Sequence, residues 1–414
     1  MQLRTDTKTP VILGSYVNAY GLIRSFAEAG MRSIVVAWKD ELACHSRFAH
    51  VHSAPDPVSD ESAFIDSLVT LGKSLPNGGF ILCTDDATVS ITARKRDILQ
   101  EYYCILGSSW EVLSNCVDKR PMYDAATRAG VMIPFTRFCS NSESIAQIAN
   151  ELPYPCMIKP SVTVGFMELL GLPGRTIPIQ DKASLLKITT HLMSVGLNDR
   201  EYVVQEIIPG GAESLFTISA YCSKSTKIIA YSTGHKIRQH PPDAGTIISG
   251  RVVPIPGLFE PAQRLVSELG FQGICNIEFK KDALTGEFKL IEINARPGMW
   301  NYSATASGIN LAHIAYIDMV SNEIQPVPPS PKELVWLMSI DDLWKSVRYW
   351  KRNGYARYSI GLIEWWRSLH GIKVDPVFNM RDPGPWLFLL KHNLLIPILN
   401  KLSRNISTLT GGNP

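Results

Sequence analysis

The chain has no C-x-x-C pair among its eight cysteines, so neither a zinc ribbon nor a disulfide framework is written into it, and reduced, packed thiols are expected. It has no uninterrupted apolar run long enough to span a bilayer, and its first residues, MQLRTDTKTP, carry no apolar signal-peptide core. A cytoplasmic protein is expected. Neither sign of charge dominates: 41 Lys and Arg against 38 Asp and Glu leave +3, far from the basic stripe that marks a nucleic-acid binder. G-x-G-x-x-G is absent, which argues against a dinucleotide site, and there is no nucleophile elbow or Cys/His constellation for covalent catalysis.

What is present is the composition of a globular protein, 45% hydrophobic and 19% charged over 414 residues, enough for two or three domains. The first hundred or so residues alternate between strand and helix. Val11 to Leu13 reads as a short strand, Tyr20 to Ala29 as a helix stopped by Gly30, and Ile34 to Ala37 as the next strand, a βαβ opening. Gly14 is expected where the chain turns closely at the strand end. A further strand, Gly79 to Cys83, runs into Thr84-Asp85-Asp86. Polar residues at a strand's carboxyl end suit a ligand crevice, and they equally suit a cap on the following helix.

In VDKRPMYDAATRAGVMIP, Asp118 is the expected N-cap of a helix that Gly130 stops. Lys119 in its first turn is not helped by the helix dipole, which leaves two explanations: a phosphate shared with the helix end, or simple solvation. Strands follow at Cys156 to Lys159 and Tyr202 to Gln205, the latter leading into Glu206-Ile207-Ile208-Pro209-Gly210-Gly211. The most informative stretch is FQGICNIEFKKDALTGEFKLIEINARPGMW, residues 271 to 300. Two β-rich runs, Ile274 to Lys280 and Phe288 to Asn294, flank a turn-prone segment, a hairpin signal. With a register symmetric about Thr285, Glu278 sits opposite Glu292 on a face that Asn276 and Asn294 share, and Phe288 and Leu290 are expected on that same face. Opposed carboxylates on a half-buried face require a cation, and Mg²⁺ fits, with Asn294 completing the oxygen set. Arg296 two residues on implies an anion beside the metal. A solvated acidic face on an ordinary hairpin is the competing explanation.

The order D-K, A-G-V-x-x-P, I-K-P, V-V-Q-E-I-I-P-G, N-I-E-F and L-I-E-I-N-A-R-P resembles the ATP-grasp superfamily across roughly residues 116 to 320. The opening VILGSYVNAYGLIRSFAEAG extends the likeness to carboxylate–amine ligases similar to bacterial D-aspartate ligases. Together with the βαβ opening this gives an α/β protein: a parallel-sheet pre-ATP-grasp domain over residues 1–115, a two-lobed α+β ATP-grasp body over 116–325 that the resemblance implies, and a basic, Trp-rich, mostly helical C-terminal region over 326–414. It implies that Lys119 and Lys159 contact ATP phosphates, that the backbone of Glu206, Ile207 and Ile208 holds the adenine edge, and that Glu213 takes the ribose hydroxyls. It implies that Glu278, Glu292 and Asn294 hold Mg²⁺, with Mn²⁺ as the alternative ion, and that Lys236, Arg238 and Arg296 surround the transferring phosphoryl group. Ser161-Val162-Thr163-Val164-Gly165, where a phosphate-covering loop is expected, has little glycine, with Gly174-Arg175 as a substitute contact.

The implied reaction is ATP-dependent ligation of a small-molecule carboxylate to an amine through an acyl phosphate. A carboxylase or carbamoyl-phosphate-type enzyme using bicarbonate, and a non-catalytic nucleotide-binding regulator, are the alternatives. A homodimer is compatible with the sequence. Beyond the proline-rich stretch 325–331 lie six of the nine tryptophans, interleaved with Lys345, Arg348, Lys351, Arg352, Arg357 and Arg367. Such a region suits either contact with a membrane surface or lipid-linked substrate, or a helical appendage packed on the body.

Overall fold

In a computed structural model of the protein, residues 7–160, 176–242, 245–321, 326–328 and 332–392 are described. The loop 161–165 and the pair Gly174-Arg175 lie outside them, as does most of the proline-rich stretch. Five strands, β1 (Thr9–Leu13), β2 (Ser33–Ala37), β3 (Ala49–Ser53), β4 (Gly79–Cys83) and β5 (Tyr103–Ile105), form a parallel sheet in the order β3-β2-β1-β4-β5. The strand order reverses between β1 and β4, and such a point opens a crevice at the carboxyl ends. Gly14 is required there: its φ is +114°, and a Cβ would lie 2.1 Å from Thr84 Oγ1. The helix Val17–Glu28 begins directly after this turn and buries most of its apolar residues.

A second sheet is antiparallel and small, with β6 (Thr136–Cys139), β7 (Cys156–Pro160), β8 (Ile177–Ile179) and β9 (Tyr202–Glu206) in the order β6-β9-β7-β8. It has a core of its own, built from Ile145, Ile158, Leu185, Leu192 and Val204 with their neighbours, as a separate lobe needs. The third sheet runs β14-β13-β10-β11-β12-β15-β16, from β10 (Leu215–Cys222), β11 (Ile228–His240), β12 (Thr246–Val252), β13 (Gly273–Lys281), β14 (Phe288–Asn294), β15 (Leu334–Leu337) and β16 (Lys373–Val374). Its apolar side shares one continuous core with the parallel sheet, Val11 and Ile81 lying in the same cluster as Ile218, Ile277 and Leu290. The α/β class and the two-lobed body are thus as expected.

The C-terminal region is helical in large part, but it is not a free appendage. Its first strand, β15, pairs with β12 inside the large sheet, and β16 pairs parallel to β15. Trp336 and Trp350 are buried, and Trp365 lies in a small core with Val335, Leu337 and Leu369. The helix Gly384–Leu390 returns to the parallel-sheet domain: Phe388 stacks on His45 with centroids 4.4 Å apart, and Asp382 accepts from Ser46 Oγ at 2.5 Å and from the Arg47 amide at 2.9 Å. Of the two readings of this region, packing on the body holds at Trp365 and Trp386, while Trp366 stays exposed beneath Lys373. Among the described residues, no helix is long and apolar enough to cross a membrane.

Candidate active site

The hairpin β13–β14 forms with Glu278 paired to Glu292 and Asn276 paired to Asn294, the register expected from the symmetric turn. A bulge then intervenes: Phe279 pairs with Leu290, so Ile291 is the extra residue. That insertion flips the strand. Leu290 joins the apolar core with Phe279 and Ile293 instead of sharing the carboxylate face, which corrects the expected placement of Leu290. The polar face continues onto β10, where Thr217 stands beside Glu278 and Ser219 beside Asn276. Lys236 on β11 closes the row, its Nζ 3.0 Å from Glu278 Oε2 with side chains 8% and 17% exposed. A positive charge does sit at the paired carboxylates, and it is this lysine.

Trp300 fixes the far end of the row. Its Nε1 donates to Asn276 Oδ1 at 3.1 Å, and Ser219 Oγ donates to the same oxygen at 2.8 Å. The indole packs over Gly234 and Gly250, where added Cβ atoms would fall 2.8 Å and 3.2 Å from its ring. Both strands thus need glycine to leave room for the Trp300 ring.

The small lobe presents Lys159 from the end of β7. Its Nζ donates to Gln205 Oε1 at 2.9 Å, and the Gln205 amide donates to Tyr123 Oη at 2.9 Å and Thr136 Oγ1 at 3.0 Å. Tyr123 Oη donates in turn to the Ile291 carbonyl at 3.0 Å, tying this network to β14 at the bulge. Gln205 and Tyr123 carry no signal in the sequence beyond strand and helix periodicity. Burial, and then the neighbouring Lys119 charge, lower the Lys159 pKa to about 8 against the pull of Glu292. Lys119, Lys159 and Glu292 therefore share one neighbourhood. Lys119 opens the helix Lys119–Arg128, whose N-cap Asp118 accepts from the Arg120 amide at 2.9 Å, as expected.

The depressed value has a measurable consequence. The ammonium form is the one that attracts phosphate, and its proton leaves at lower pH than from a solvated lysine. If Lys159 holds an ATP phosphate, the Kd for ATP should rise as pH passes about 8, by up to about tenfold per pH unit, and Lys159→Arg should flatten that rise. Titration calorimetry at fixed ionic strength reads the effect; a Kd constant from pH 7 to 9 in the wild type would exclude Lys159 from the phosphate site.

The remaining residues divide. Glu206 Oε1 accepts from the Phe135 amide at 3.1 Å and from Lys289 Nζ at 2.7 Å. The Glu206 and Ile207 amides donate to the Phe135 and Pro155 carbonyls, each at 3.0 Å, so both are already engaged within the protein. Glu213 is exposed in a short 3-10 turn and accepts from the Gly211 amide at 3.1 Å. Arg296 reaches the parallel-sheet domain, its Nε 2.7 Å from Asp86 Oδ1. Asp85 caps the helix Asp86–Arg94, accepting from the Thr88 amide at 2.8 Å. The capping reading of Thr84-Asp85-Asp86 holds at Asp85, while Asp86 meets Arg296.

Arg238 does not join this group. Two bulges interrupt β11 around it, and its guanidinium turns to the C-terminal region. Nε and Nη2 meet the two oxygens of Asp342 at 2.8 Å and 2.6 Å, and Nη1 donates to Ser368 Oγ at 2.7 Å. Ser249 Oγ and Trp365 Nε1 complete the Asp342 carboxylate at 3.0 Å and 2.7 Å. Three of the five guanidinium N–H groups are held in this buried cluster, which turns Arg238 away from the carboxylate row, and the expected place beside the phosphoryl group is corrected to a buried structural pair.

The donor set fits a hard divalent ion. Glu278, Glu292 and the Asn294 amide would offer oxygen ligands from one face, and no third carboxylate, His or Cys joins them in a cluster among the described residues. That leaves coordination positions for water and phosphate oxygens, as Mg²⁺ prefers. Asn294 turns Nδ2 to Glu292 Oε1 at 3.1 Å, and a half-turn of the amide presents Oδ1 instead.

Comparison with known proteins agrees with this geometry. A family described as ATP-grasp in the biosynthetic pathway with Ter operon matches residues 238–339. The chain is similar to D-aspartate ligase from Enterococcus faecium, 25% identical over 334 residues, covering 76% of this chain and 77% of that enzyme. Among solved structures it is similar to biotin carboxylase from Campylobacter jejuni in its complex with β,γ-ATP, with TM-score 0.59 and 16% identity, covering 79% of this chain and 74% of that one. It is also similar to L-amino acid ligase from Bacillus licheniformis, with TM-score 0.56 and 17% identity, covering 78% and 79%. The chain has the ATP-grasp fold.

Proposed function

We propose that the protein is an ATP-grasp ligase that joins a small-molecule carboxylate to an amine through an acyl phosphate, releasing ADP and phosphate. The observation that carries this reading is the direct pairing of Glu278 with Glu292 across the hairpin, with Lys236 on one carboxylate and Lys159 in the field of the other. The likeness to D-aspartate ligase supports an amine as the acceptor.

In this reading Lys119 and Lys159 hold the ATP phosphates from the small lobe, and Glu278, Glu292 and Asn294 hold Mg²⁺ from the large sheet. The ion, when bound, neutralises phosphate oxygens as charge moves between them. Lys236 on Glu278, and Arg296 in the field of Glu292, would stabilise the negative charge that develops on the transferred group. An oxygen of the acid attacks the γ-phosphorus as the bond to the bridging oxygen breaks, and ADP leaves. The amine nitrogen then adds to the acyl carbon, phosphate departs with the C–O electron pair, and the amine gives up its proton to solvent. The carboxylate alone is a poor acyl donor, since its leaving group would be oxide.

Bicarbonate as the phosphoryl acceptor is the second reading, favoured by the likeness to biotin carboxylase. Hydroxylamine in place of the amine separates the two, since it should collect an activated organic acid as its hydroxamate.

A further inference from the structure

Lys289 lies on β14, paired with Lys280 across the hairpin, and nothing in the sequence marks it out. Its side chain is 13% exposed and its ammonium bridges two carboxylates from different parts of the molecule. One is Glu206 at 2.7 Å, the last residue of β9 in the small sheet. The other is Asp282 at 3.0 Å, at the head of the β13–β14 turn in the large sheet. Glu206 Oε1 also receives the Phe135 amide at 3.1 Å, at the entry to the small lobe. Asp282 is itself anchored, accepting from the Leu284 amide at 2.9 Å. Main-chain bonds run alongside: Leu290 N to the Met132 carbonyl at 2.8 Å and Ala283 N to the Pro209 carbonyl at 3.4 Å.

We infer that Lys289 is a positioning residue for nucleotide binding: it staples the end of β9 to the metal-bearing hairpin and so fixes the Glu206–Ile208 backbone against the carboxylate row. This rests on the reading that Glu206–Ile208 holds the nucleobase. The chain enters the small lobe at residues 132–135 and passes Glu206–Pro209 on its way out, and both passages touch the same hairpin. A lobe joined by two short passages turns about them unless something pins it. The Lys289–Glu206 ion pair pins it, with Asp282 holding the same largely buried ammonium from within the hairpin, five residues before Asn294 on the same strand. Burial pulls the lysine's pKa down, but Glu206 and Asp282 together raise it above the usual range, so the staple stays charged at neutral pH.

The arrangement predicts a split between binding and turnover. Without the ammonium, Glu206 and Asp282 lose their common partner, and the nucleobase contact loosens while the chemistry at Glu278 and Glu292 keeps its residues. Lys289→Met should raise the KM for ATP about tenfold with kcat within about twofold, and Lys289→Arg should restore KM. Glu206→Gln, which keeps an acceptor for the Phe135 amide but removes the ion pair, should raise KM alike, and the two changes together should not add. Amide hydrogen exchange over residues 203–209 should quicken in Lys289→Met without nucleotide present. A merely structural lysine would lower thermal stability and leave the KM of the folded fraction alone. Unchanged KM in both variants, or equal losses in kcat, would overturn the staple, and if Lys289→Met does not fold, Glu206→Gln decides. A wild-type protein that binds no ATP would instead sink the nucleotide reading, leaving the staple to stand or fall on hydrogen exchange alone.

Discussion

Glu292→Gln is expected to fold like the wild type and to lose ATP turnover almost completely. Glu292's hydrogen bond within the row is the one it accepts from Asn294 Nδ2 at 3.1 Å, which a glutamine oxygen receives equally well. The change also removes a like charge from directly opposite Glu278, so the hairpin should not weaken. What it removes is half of the anionic pair that would hold the divalent ion. Losing that charge stabilisation should cost about 4 kcal/mol of barrier, close to a thousandfold in rate. Circular dichroism and a coupled ADP assay on the same preparation measure both quantities. A folded variant with wild-type turnover would remove the hairpin from the site.

Asp342→Ala should be the most destabilising single change in the C-terminal region. It leaves Arg238 buried with two donors unmatched, and it strands Ser249 and Trp365 as well. Breaking one partner out of such a buried pair typically costs about 3–5 kcal/mol, because the remaining charge stays desolvated. Urea unfolding should show the loss as a lower midpoint at unchanged slope. Truncation at Pro331 should be worse, since it deletes β15 and bares the edge of β12 along with Arg238. A truncated protein that folds and binds ATP normally would contradict this, and would restore the region to a separable appendage.

The contrast between Arg238 and Glu278 shows what was legible in the sequence. Glu278, Glu292 and Asn294 could be placed because a hairpin is local: the turn at 282–286 sets the register, and alternation carries it along both strands. The bulge at Ile291 could not be placed, since FKLIEIN alternates acceptably with Leu290 on either face, and only the packing of Leu290 against Phe279 decides. Arg238 sits two residues from Lys236 and so reads as its companion on a strand face, yet two bulges and a carboxylate 104 residues away turn it elsewhere. Gln205 was illegible for the same reason, and so was the Lys289 contact with Glu206, 83 residues away. The four-residue strand Leu334–Leu337 was hidden by the aromatic and basic composition around it, because its identity as a strand comes from β12 beside it. At Asp118, Gly130 and Gly14, local chemistry alone sufficed.

The most direct test of the acyl-phosphate reaction is its interception. The enzyme is incubated with ATP, Mg²⁺ and a panel of carboxylic acids, with hydroxylamine and no amine, and the products are analysed by mass. An acid that supports ADP release should appear as its hydroxamate, and Arg296→Ala should form far less of it while staying folded, because Asp86, the partner it abandons, is already 63% exposed. ADP release that depends on bicarbonate alone, with no hydroxamate from any acid that supports turnover, would contradict the ligase account.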